Sequence, residues 1–163
     1  MSPLNLTYFE LFDIEINVII NLNDLDSKYL KLQSKFHPDK FINSSSIEKS
    51  MAARISTHIN DAYKALKDLV SRVDYILKIN NYIYDENKTF KNKEFLIEQM
   101  ELTEKINKCE VSEYSTVKLE IKDKISQLII EMKKNLFNNE FDILHQNNSM
   151  IKFYKKNINN LSI

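Results

Sequence analysis

The chain has 163 residues, with 23 lysines and arginines balanced by 23 aspartates and glutamates, so its formal net charge is zero. A neutral chain has no overall basic field that would draw it to nucleic acid or to an anionic membrane, and an electrostatic partner must therefore meet a local patch. Glycine is absent altogether, which excludes phosphate-binding glycine loops, the dinucleotide fingerprint and the nucleophile elbow of hydrolases, because each requires a residue without a Cβ.

The remaining composition favours a folded, cytoplasmic protein. With 43% hydrophobic residues the chain can form one substantial core or two small ones. No apolar run approaches the roughly 20 residues that span a bilayer, and the N-terminus lacks the features of a signal or transit peptide. Cys109 is the only cysteine and has no zinc-ligand spacing to the three histidines, so we expect neither metal nor cofactor. Asparagine is expected at the left-handed helix ends where glycine usually occurs.

The first predicted elements are a short aromatic turn, Tyr8 to Phe12, and a helix that follows a loop through Asn21. Asn23 or Asp24 is the expected N-cap of this helix. Its inward face is formed by residues spaced four, three and four apart, which are Leu25, Tyr29, Leu32 and Phe36.

A stripe of lysines follows the same spacing within a sector of roughly 60° of this helix; its members are Lys28, Lys31 and Lys35. The stripe leads into His37-Pro38-Asp39, which Lys40 follows. Proline disfavours the α conformation of the preceding residue and cannot continue a helix, so the helix should end at Phe36 and leave an exposed polar turn. A lysine stripe alone is typical of an ordinary solvated helix face; its position beside the His-Pro-Asp turn favours a binding surface.

A long second helix should pair with the first. Ser45 and Glu48 have the spacing of a capping box, and the predicted buried stripe comprises Met51, Ile55, Ile59, Ala62, Tyr63 and Leu66. The two helices can pack antiparallel, which places the His-Pro-Asp turn at the tip of a helical hairpin. A closing segment from Val70 to Ile79 adds Val73, Ile76 and Leu77 to the same core.

This arrangement, with Asn60-Asp61-Ala62-Tyr63 near the end of the long helix, resembles the J-domain of heat-shock co-chaperones over roughly residues 6–78. The resemblance implies docking on the ATPase domain of a chaperone of the seventy-kilodalton heat-shock class and stimulation of its ATP hydrolysis. His37, Pro38 and Asp39 would act as the trigger. The residues that would steer and hold the partner are Lys28, Lys31, Lys35 and Lys40.

Two other functions are less compatible with the sequence. A general acid-base pair of His37 and Asp39 fails because the sequence offers no nucleophile, oxyanion donors or pocket for it. Nucleic-acid binding through the lysine stripe and the Lys155-Lys156 pair is disfavoured by zero net charge and by the scattering of the lysines.

The second half begins after a polar segment, residues 79–92, which is the expected linker. Three helices fit residues 93–163, over about Lys93 to Cys109, Ser112 to Leu136 and Asn139 to Leu161. Their short connections favour an antiparallel three-helix bundle. The whole chain is therefore predicted to be all-α.

The first helix of this bundle carries two apolar faces. Its bundle-facing stripe comprises Phe95, Leu102, Ile106 and Cys109, whereas Leu96, Ile97 and Met100 point to the other side, beside Glu101 and Glu104. An apolar patch with an acidic margin is the composition expected of a docking surface. Burial of the helix on two sides, including packing against the first domain, remains the alternative interpretation.

The segment from Phe95 to Leu102 is similar to the Phe-Leu-Met-Glu-Gln-Leu-Glu-Leu stretch of the HscB family, and Arg72 to Leu77 is similar to its Arg-Ala-Glu-Tyr-Leu-Leu segment. HscB is the specialised J-protein of bacterial iron-sulfur cluster assembly. The resemblance implies an L-shaped molecule whose bundle binds the scaffold protein IscU and delivers it to the chaperone HscA. The implied scaffold-binding residues are Leu96, Ile97, Met100, Glu101, Glu104 and Phe153.

The chain departs from this family at two places. Lys108 stands where an acidic residue is common, and the C-terminus after Leu161 is short. No cysteine-rich module precedes Leu6, which favours a bacterial or endosymbiont-like form. The resulting hypothesis is a non-enzymatic adaptor between scaffold and chaperone; the alternatives are a general J-domain co-chaperone with a different client and a purely structural helical protein.

Overall fold

The computed structural model describes residues 2–83 and 93–161, and these residues form helices, turns and loops without any strand. The all-α prediction is therefore confirmed. The chain divides into two compact units, Met1–Ile79 and Asn80–Ile163. Of the predicted linker, residues 84–92 lie outside the described residues, as do residues 162–163 of the predicted bundle.

The first unit is built around a helical hairpin. Its helices are α1 (Tyr8–Leu11), α2 (Leu22–Phe36), α3 (Ser46–Lys67) and α4 (Leu69–Ile79), and 3₁₀ turns occupy Pro3–Asn5 and Pro38–Phe41. Helices α2 and α3 pack antiparallel, and α1 and α4 pack on α3. The buried core contains Phe9, Phe12, Val18, Leu25, Ile59, Ala62, Leu66, Val73 and Ile76.

The two long helices begin at identifiable caps. The side chain of Asn21 caps α2 by accepting hydrogen bonds from the backbone N–H groups of Asn23 and Asp24, at 3.0 and 3.2 Å. The prediction of Asn23 or Asp24 as the cap was therefore wrong, because both residues already donate from the first helical turn. The predicted capping box between Ser45 and Glu48 is confirmed at the start of α3.

The buried stripe of α3 differs from the prediction at its N-terminal end. Met51 is 43% exposed, whereas Ala52 is buried. A strict spacing of four drifts by about 40° per step against the helical period, so a stripe that is extrapolated backwards from Ile59 by two steps leaves the core. Tyr63 is half-buried and stacks on Tyr29 with 4.0 Å between ring centroids.

Arg72 joins α4 to the end of α3 and to the loop before α2. Its buried guanidinium donates hydrogen bonds to the carbonyl oxygens of Leu66 at 2.7 Å, Val18 at 2.6 Å and Lys67 at 3.3 Å. Burial lowers the pKa of Arg72, and the charge of Asp68 opposes this effect. One side chain thus satisfies three backbone acceptors, two of them at the C-terminus of α3.

The second unit is a bundle of α5 (Lys93–Lys108), α6 (Tyr114–Phe137) and α7 (Phe141–Asn160), with a 3₁₀ turn at Val111–Glu113. Helices α6 and α7 pack against each other. Lys105 pairs with Glu120 and Glu98 with Lys124, which shows that α5 and α6 run antiparallel as predicted. The buried core contains Leu102, Val117, Ile121, Leu128, Met132, Leu144, Ile151 and Tyr154.

Asparagine occupies left-handed positions in this glycine-free chain. Asn81 and Asn139 have φ angles of 55° and 58°, just beyond the ends of α4 and α6, and Asp13 has a φ of 50°. Asn and Asp tolerate this conformation better than other residues with a Cβ, because their short polar side chains can hydrogen-bond locally. The expectation for asparagine is confirmed.

Candidate functional site

The His37-Pro38-Asp39 loop lies between α2 and α3, at the tip of the hairpin. His37 is extended, with φ −60° and ψ 130°, and Pro38 begins the 3₁₀ turn. The imidazole Nδ1 accepts the backbone N–H of Asp39 at 3.3 Å and lies 3.5 Å from the Asp39 carboxylate. The side chains of His37 and Asp39 are 53% and 78% exposed. The loop is thus locally ordered by its own histidine and open to a partner.

The structure divides the predicted lysines into two groups. The Nζ of Lys28 donates to the carbonyl oxygen of Asp13 at 2.8 Å and lies 2.9 Å from the Asp24 carboxylate. This half-buried lysine therefore holds the loop before α2. Lys31, Lys35 and Lys40 are on the accessible surface, and the ammonium of Lys35 lies 5.3 Å from the ring centroid of Phe36.

An apolar groove forms the second candidate surface, on α5 and α7 of the second unit. It has a volume of about 770 Å³ and is lined by Leu96, Gln99, Met100, Thr103, Glu104, Asn107, Lys108 and Phe153. The rings of Phe153 and Phe95 pack edge to face with 6.3 Å between their centroids. This contact holds the Phe153 ring at the wall of the groove. Leu96 and Met100 remain 37% and 73% exposed, so the bundle of the second unit does not itself cover this apolar face of α5.

Four of the six predicted scaffold-binding residues line this groove: Leu96, Met100, Glu104 and Phe153. Ile97 is 54% exposed but does not line it. Glu101 is exposed and faces a smaller depression that Leu102 and Lys124 also line. The structure therefore places Ile97 and Glu101 beside the groove.

Several groove residues were not predicted from the sequence. Gln99, Thr103 and Asn107 supply a polar edge, and their regular spacing of four on a helix could have indicated it. Lys108 forms an ion pair with Glu104 one turn away. The acidic margin predicted at this end of the groove is thus compensated by a neighbouring cation.

A polar network holds α5 in place behind the groove. Glu98 accepts hydrogen bonds from Lys124 on α6 and from the Tyr154 hydroxyl on α7, the latter at 2.7 Å. Burial alone would raise the pKa of Glu98, but these two hydrogen bonds and the charge of Lys124 together lower it. Burial, followed by the hydrogen bond and charge of Glu98, raises the pKa of Tyr154.

Two further properties concern residues 2–83 and 93–161. No group of three or more His, Cys, Asp or Glu side chains is placed to hold a metal ion there. None of the helices in this part of the chain combines the length and hydropathy that crossing a bilayer requires.

An exposed His-Pro-Asp loop at the tip of an antiparallel helical hairpin, with lysines on the helix that precedes it, defines the class of J-domain co-chaperones. Comparison with known proteins identifies the family. Residues 91–162 match the sequence profile described as the HSCB C-terminal oligomerisation domain. A "Co-chaperone protein HscB homolog" of Neisseria meningitidis serogroup A is 32% identical over 161 residues, which are 95% of this chain and 96% of that protein.

Solved structures give the same result. Chaperone HscB from Vibrio cholerae is 27% identical, with a TM-score of 0.84, and the match covers 96% of this chain and 95% of that one. The human co-chaperone protein HscB is 26% identical, with a TM-score of 0.88, over 96% of this chain and 81% of that one. The chain belongs to the HscB family of co-chaperone proteins.

Proposed function

We propose that this chain is an adaptor co-chaperone of iron-sulfur cluster assembly. The groove of the second unit binds an IscU-like scaffold protein, and the His37-Pro38-Asp39 loop engages an HscA-like chaperone and stimulates its ATP hydrolysis. Lys31, Lys35 and Lys40 steer and hold that chaperone. The chain itself catalyses no reaction, and it acts in the cytoplasm.

The observation that carries this proposal is that one chain exposes two chemically distinct surfaces on two different units. The loop is polar and basic, as expected for electrostatic docking on another protein. The groove has an apolar centre of Leu96, Met100 and Phe153 with a polar edge, which is the anatomy of a protein interface whose binding energy is concentrated in a few central residues. Membership of the HscB family supports the assignment of both partners.

The decisive experiment measures ATP hydrolysis by the purified chaperone with this protein, with and without the scaffold, and measures scaffold binding separately by calorimetry. His37→Gln should abolish stimulation and leave scaffold affinity unchanged. Leu96→Ala combined with Met100→Ala should weaken scaffold binding at least about tenfold, because each removes a hot-spot side chain, and should preserve stimulation measured without scaffold.

A matched control is available on α6, where Leu119 and Ile130 are 61% and 69% exposed and do not line the groove. Leu119→Ala with Ile130→Ala should change neither activity. Equal loss of both activities in each folded variant would contradict separate sites. Stimulation of the chaperone by a protein that does not bind the scaffold would instead indicate a general J-domain co-chaperone with another client.

A further inference from the structure

Helices α2 and α3 are joined by a ladder of polar contacts that runs beside their apolar seam. From α2, the Tyr29 hydroxyl and the Gln33 amide both donate to Oδ1 of Asn60, at 3.0 and 2.5 Å. The Ser56 hydroxyl donates to Oε1 of Gln33 at 3.2 Å, and the Gln33 amide also reaches the Ser56 carbonyl oxygen at 3.4 Å. Two residues of α2 are thus tied to two residues of α3.

The same ladder continues toward the open end of the hairpin. Tyr63 on α3 stacks on Tyr29 and donates its hydroxyl to the Asp26 carboxylate at 2.7 Å. Lys67 donates to the Tyr63 hydroxyl at 2.5 Å and lies 3.5 Å from Asp26. The hydrogen bond with Tyr63 is the main cause of a raised pKa of Lys67. The ladder therefore spans most of the length over which the two helices face each other.

The apolar seam alone does not specify the register of the two helices. The α2 side of the seam repeats every three or four residues, and so does the α3 side from Ala52 to Leu66. A slip by one helical turn, about 5.4 Å, would again place apolar residues opposite apolar residues, because hydrophobic contact is non-directional. Hydrogen bonds depend on distance and angle, so the same slip would break every contact of the ladder.

The ladder and the lysine stripe lie on different sides of α2 when each residue is advanced by about 100°. The 3₁₀ turn Pro38–Phe41 packs on α3, so a slip of α2 against α3 would move the exposed ammonium groups of Lys31 and Lys35 relative to Pro38 and Asp39. A partner that binds both the lysine stripe and the loop could then align with only one of these two surfaces.

We propose that the polar ladder formed by Asp26, Tyr29, Gln33, Ser56, Asn60, Tyr63 and Lys67 sets the register of α2 against α3 and thereby the spacing between the lysine stripe and the His-Pro-Asp loop. These seven are positioning residues. Partly buried polar groups are known to fix register in packed helices even where apolar replacements would be at least as stable. The role of this spacing in binding rests on the proposed docking of the chaperone, whereas the role of the ladder in setting the helix register does not.

The test replaces both central partners with apolar groups, Gln33→Leu with Asn60→Leu, in a Cys109→Ser background that carries spin labels at Ser27→Cys and Ser50→Cys. Both label positions are exposed, and they lie near opposite ends of the hairpin, so the line between them runs mainly along the helix axes. This variant leaves the hydroxyls of Tyr29 and Ser56 without their acceptors, so its melting temperature should fall, and the distance between the labels rather than the stability is the readout. The wild-type ladder should give one distance between the labels. The variant should give a second population displaced by about 5 Å, one helical turn.

Two controls separate register from general weakening. Asn60→Asp keeps the acceptor oxygen that Tyr29 and Gln33 use and should retain a single distance. Ile59→Val, in the apolar seam, should lower the melting temperature and also retain a single distance. A single unchanged distance in the double variant, Gln33→Leu with Asn60→Leu, would overturn the proposal, and so would failure of this variant to fold, because the seam should still close the hairpin.

The functional readout is the concentration of co-chaperone that gives half-maximal stimulation of the chaperone ATPase. If half of the molecules occupy the displaced register, this concentration should double while the maximal rate is unchanged, because only the competent fraction binds. Failure of the wild-type protein to stimulate the chaperone would refute the proposed function without affecting the distance measurement. A second distance population with an unchanged half-maximal concentration would refute the link between register and docking.

Discussion

Arg72 is the residue on which the architecture of the first unit depends most directly. Its guanidinium donates to three carbonyl oxygens from two separate segments and is buried. Replacement by methionine fills a similar volume but leaves those buried acceptors without a donor, and each such group costs about 1–3 kcal/mol. We expect Arg72→Met to lower the free energy of unfolding by about 3 kcal/mol or more, from the loss of all three bonds.

Denaturant unfolding followed by far-UV circular dichroism measures this loss. Arg54→Met is the matched control, since Arg54 is exposed on α3 and surface substitutions usually change stability by less than about 0.5 kcal/mol. Equal effects of the two substitutions would show that the three hydrogen bonds of Arg72 contribute no net stability.

Lys108 is the residue most expected to tune partner choice. It pairs with Glu104 at the edge of the groove, and both side chains are more than half exposed. Such a pair contributes about 0–1 kcal/mol, but it compensates the carboxylate that lines the groove. Under the proposed function, Lys108→Ala should release the charge of Glu104 and strengthen scaffold binding by about two- to fivefold at low salt.

A double-mutant cycle checks this interpretation by calorimetry. Glu104→Gln should have little effect in the wild type and should cancel the gain in the Lys108→Ala background. An additive pair of effects, with no coupling between the two positions, would mean that the ion pair does not govern the affinity.

At the scale of single elements, the attachment of α5 depends on an ionised Glu98. The pKa of this carboxyl is lowered in the folded state. The ionised carboxylate therefore stabilises the fold above its unfolded pKa, about 4.3, and this stabilisation is lost as the pH falls through the lower folded pKa. We expect Glu98→Gln to lower the melting temperature at pH 7. The expected loss in the free energy of unfolding is about 1 kcal/mol, the size typical of hydrogen bonds to a charged group that solvent partly screens.

The difference between Glu98→Gln and the wild type should shrink as the pH is lowered from about 4.3 through the lower folded pKa of Glu98, because below that value the folded wild-type carboxyl is protonated as well. Glu10 and Glu48, whose pKa values are also lowered, by hydrogen bonds in their capping boxes, titrate equally in both proteins and cancel. Glu101→Gln on the same helix provides the control. A difference that stays constant from neutral pH to well below the unfolded pKa would exclude a role for the ionised state.

The helices themselves were largely predictable from the sequence because periodicity, capping patterns and a single decisive proline all act locally. The end of α2 at Phe36 and the capping box of Ser45 follow from such rules. The N-cap at Asn21 was missed because three polar residues within four positions all suit a cap. Met51 was misplaced because a spacing of four was extended beyond the point where it matches the helical period.

The candidate sites were predictable only in part, for a different reason. An exposed loop and an apolar patch are visible in one segment of sequence. The contact of Phe153 with Phe95, the network of Glu98, and the ladder between Gln33 and Asn60 join residues that are far apart in the chain. Such pairs depend on how two helices are aligned, and no local pattern encodes that alignment.

At the scale of the whole molecule, the proposed function depends on carrying both surfaces in one chain. Binding of the scaffold to the groove and of the chaperone to the loop brings the two partners together, and the covalent connection converts the second event into an intramolecular one. Effective concentrations for such linked sites reach the millimolar range when the geometry allows both to be occupied. Two separate molecules at micromolar concentration lack this advantage.

The consequence can be tested by complementation. His37→Gln retains the groove, and Leu96→Ala with Met100→Ala retains the loop, so an equimolar mixture contains both functional surfaces but never on the same chain. Scaffold and chaperone are present at micromolar concentrations. We expect the mixture to stimulate the ATPase only as much as the groove variant, Leu96→Ala with Met100→Ala, does alone. The additional stimulation that scaffold gives with the wild type should be absent, because the linkage between the two binding events is lost. Full recovery in the mixture would show that the two units act independently, and the protein would then be a J-domain and a scaffold-binding bundle that share a chain without cooperating.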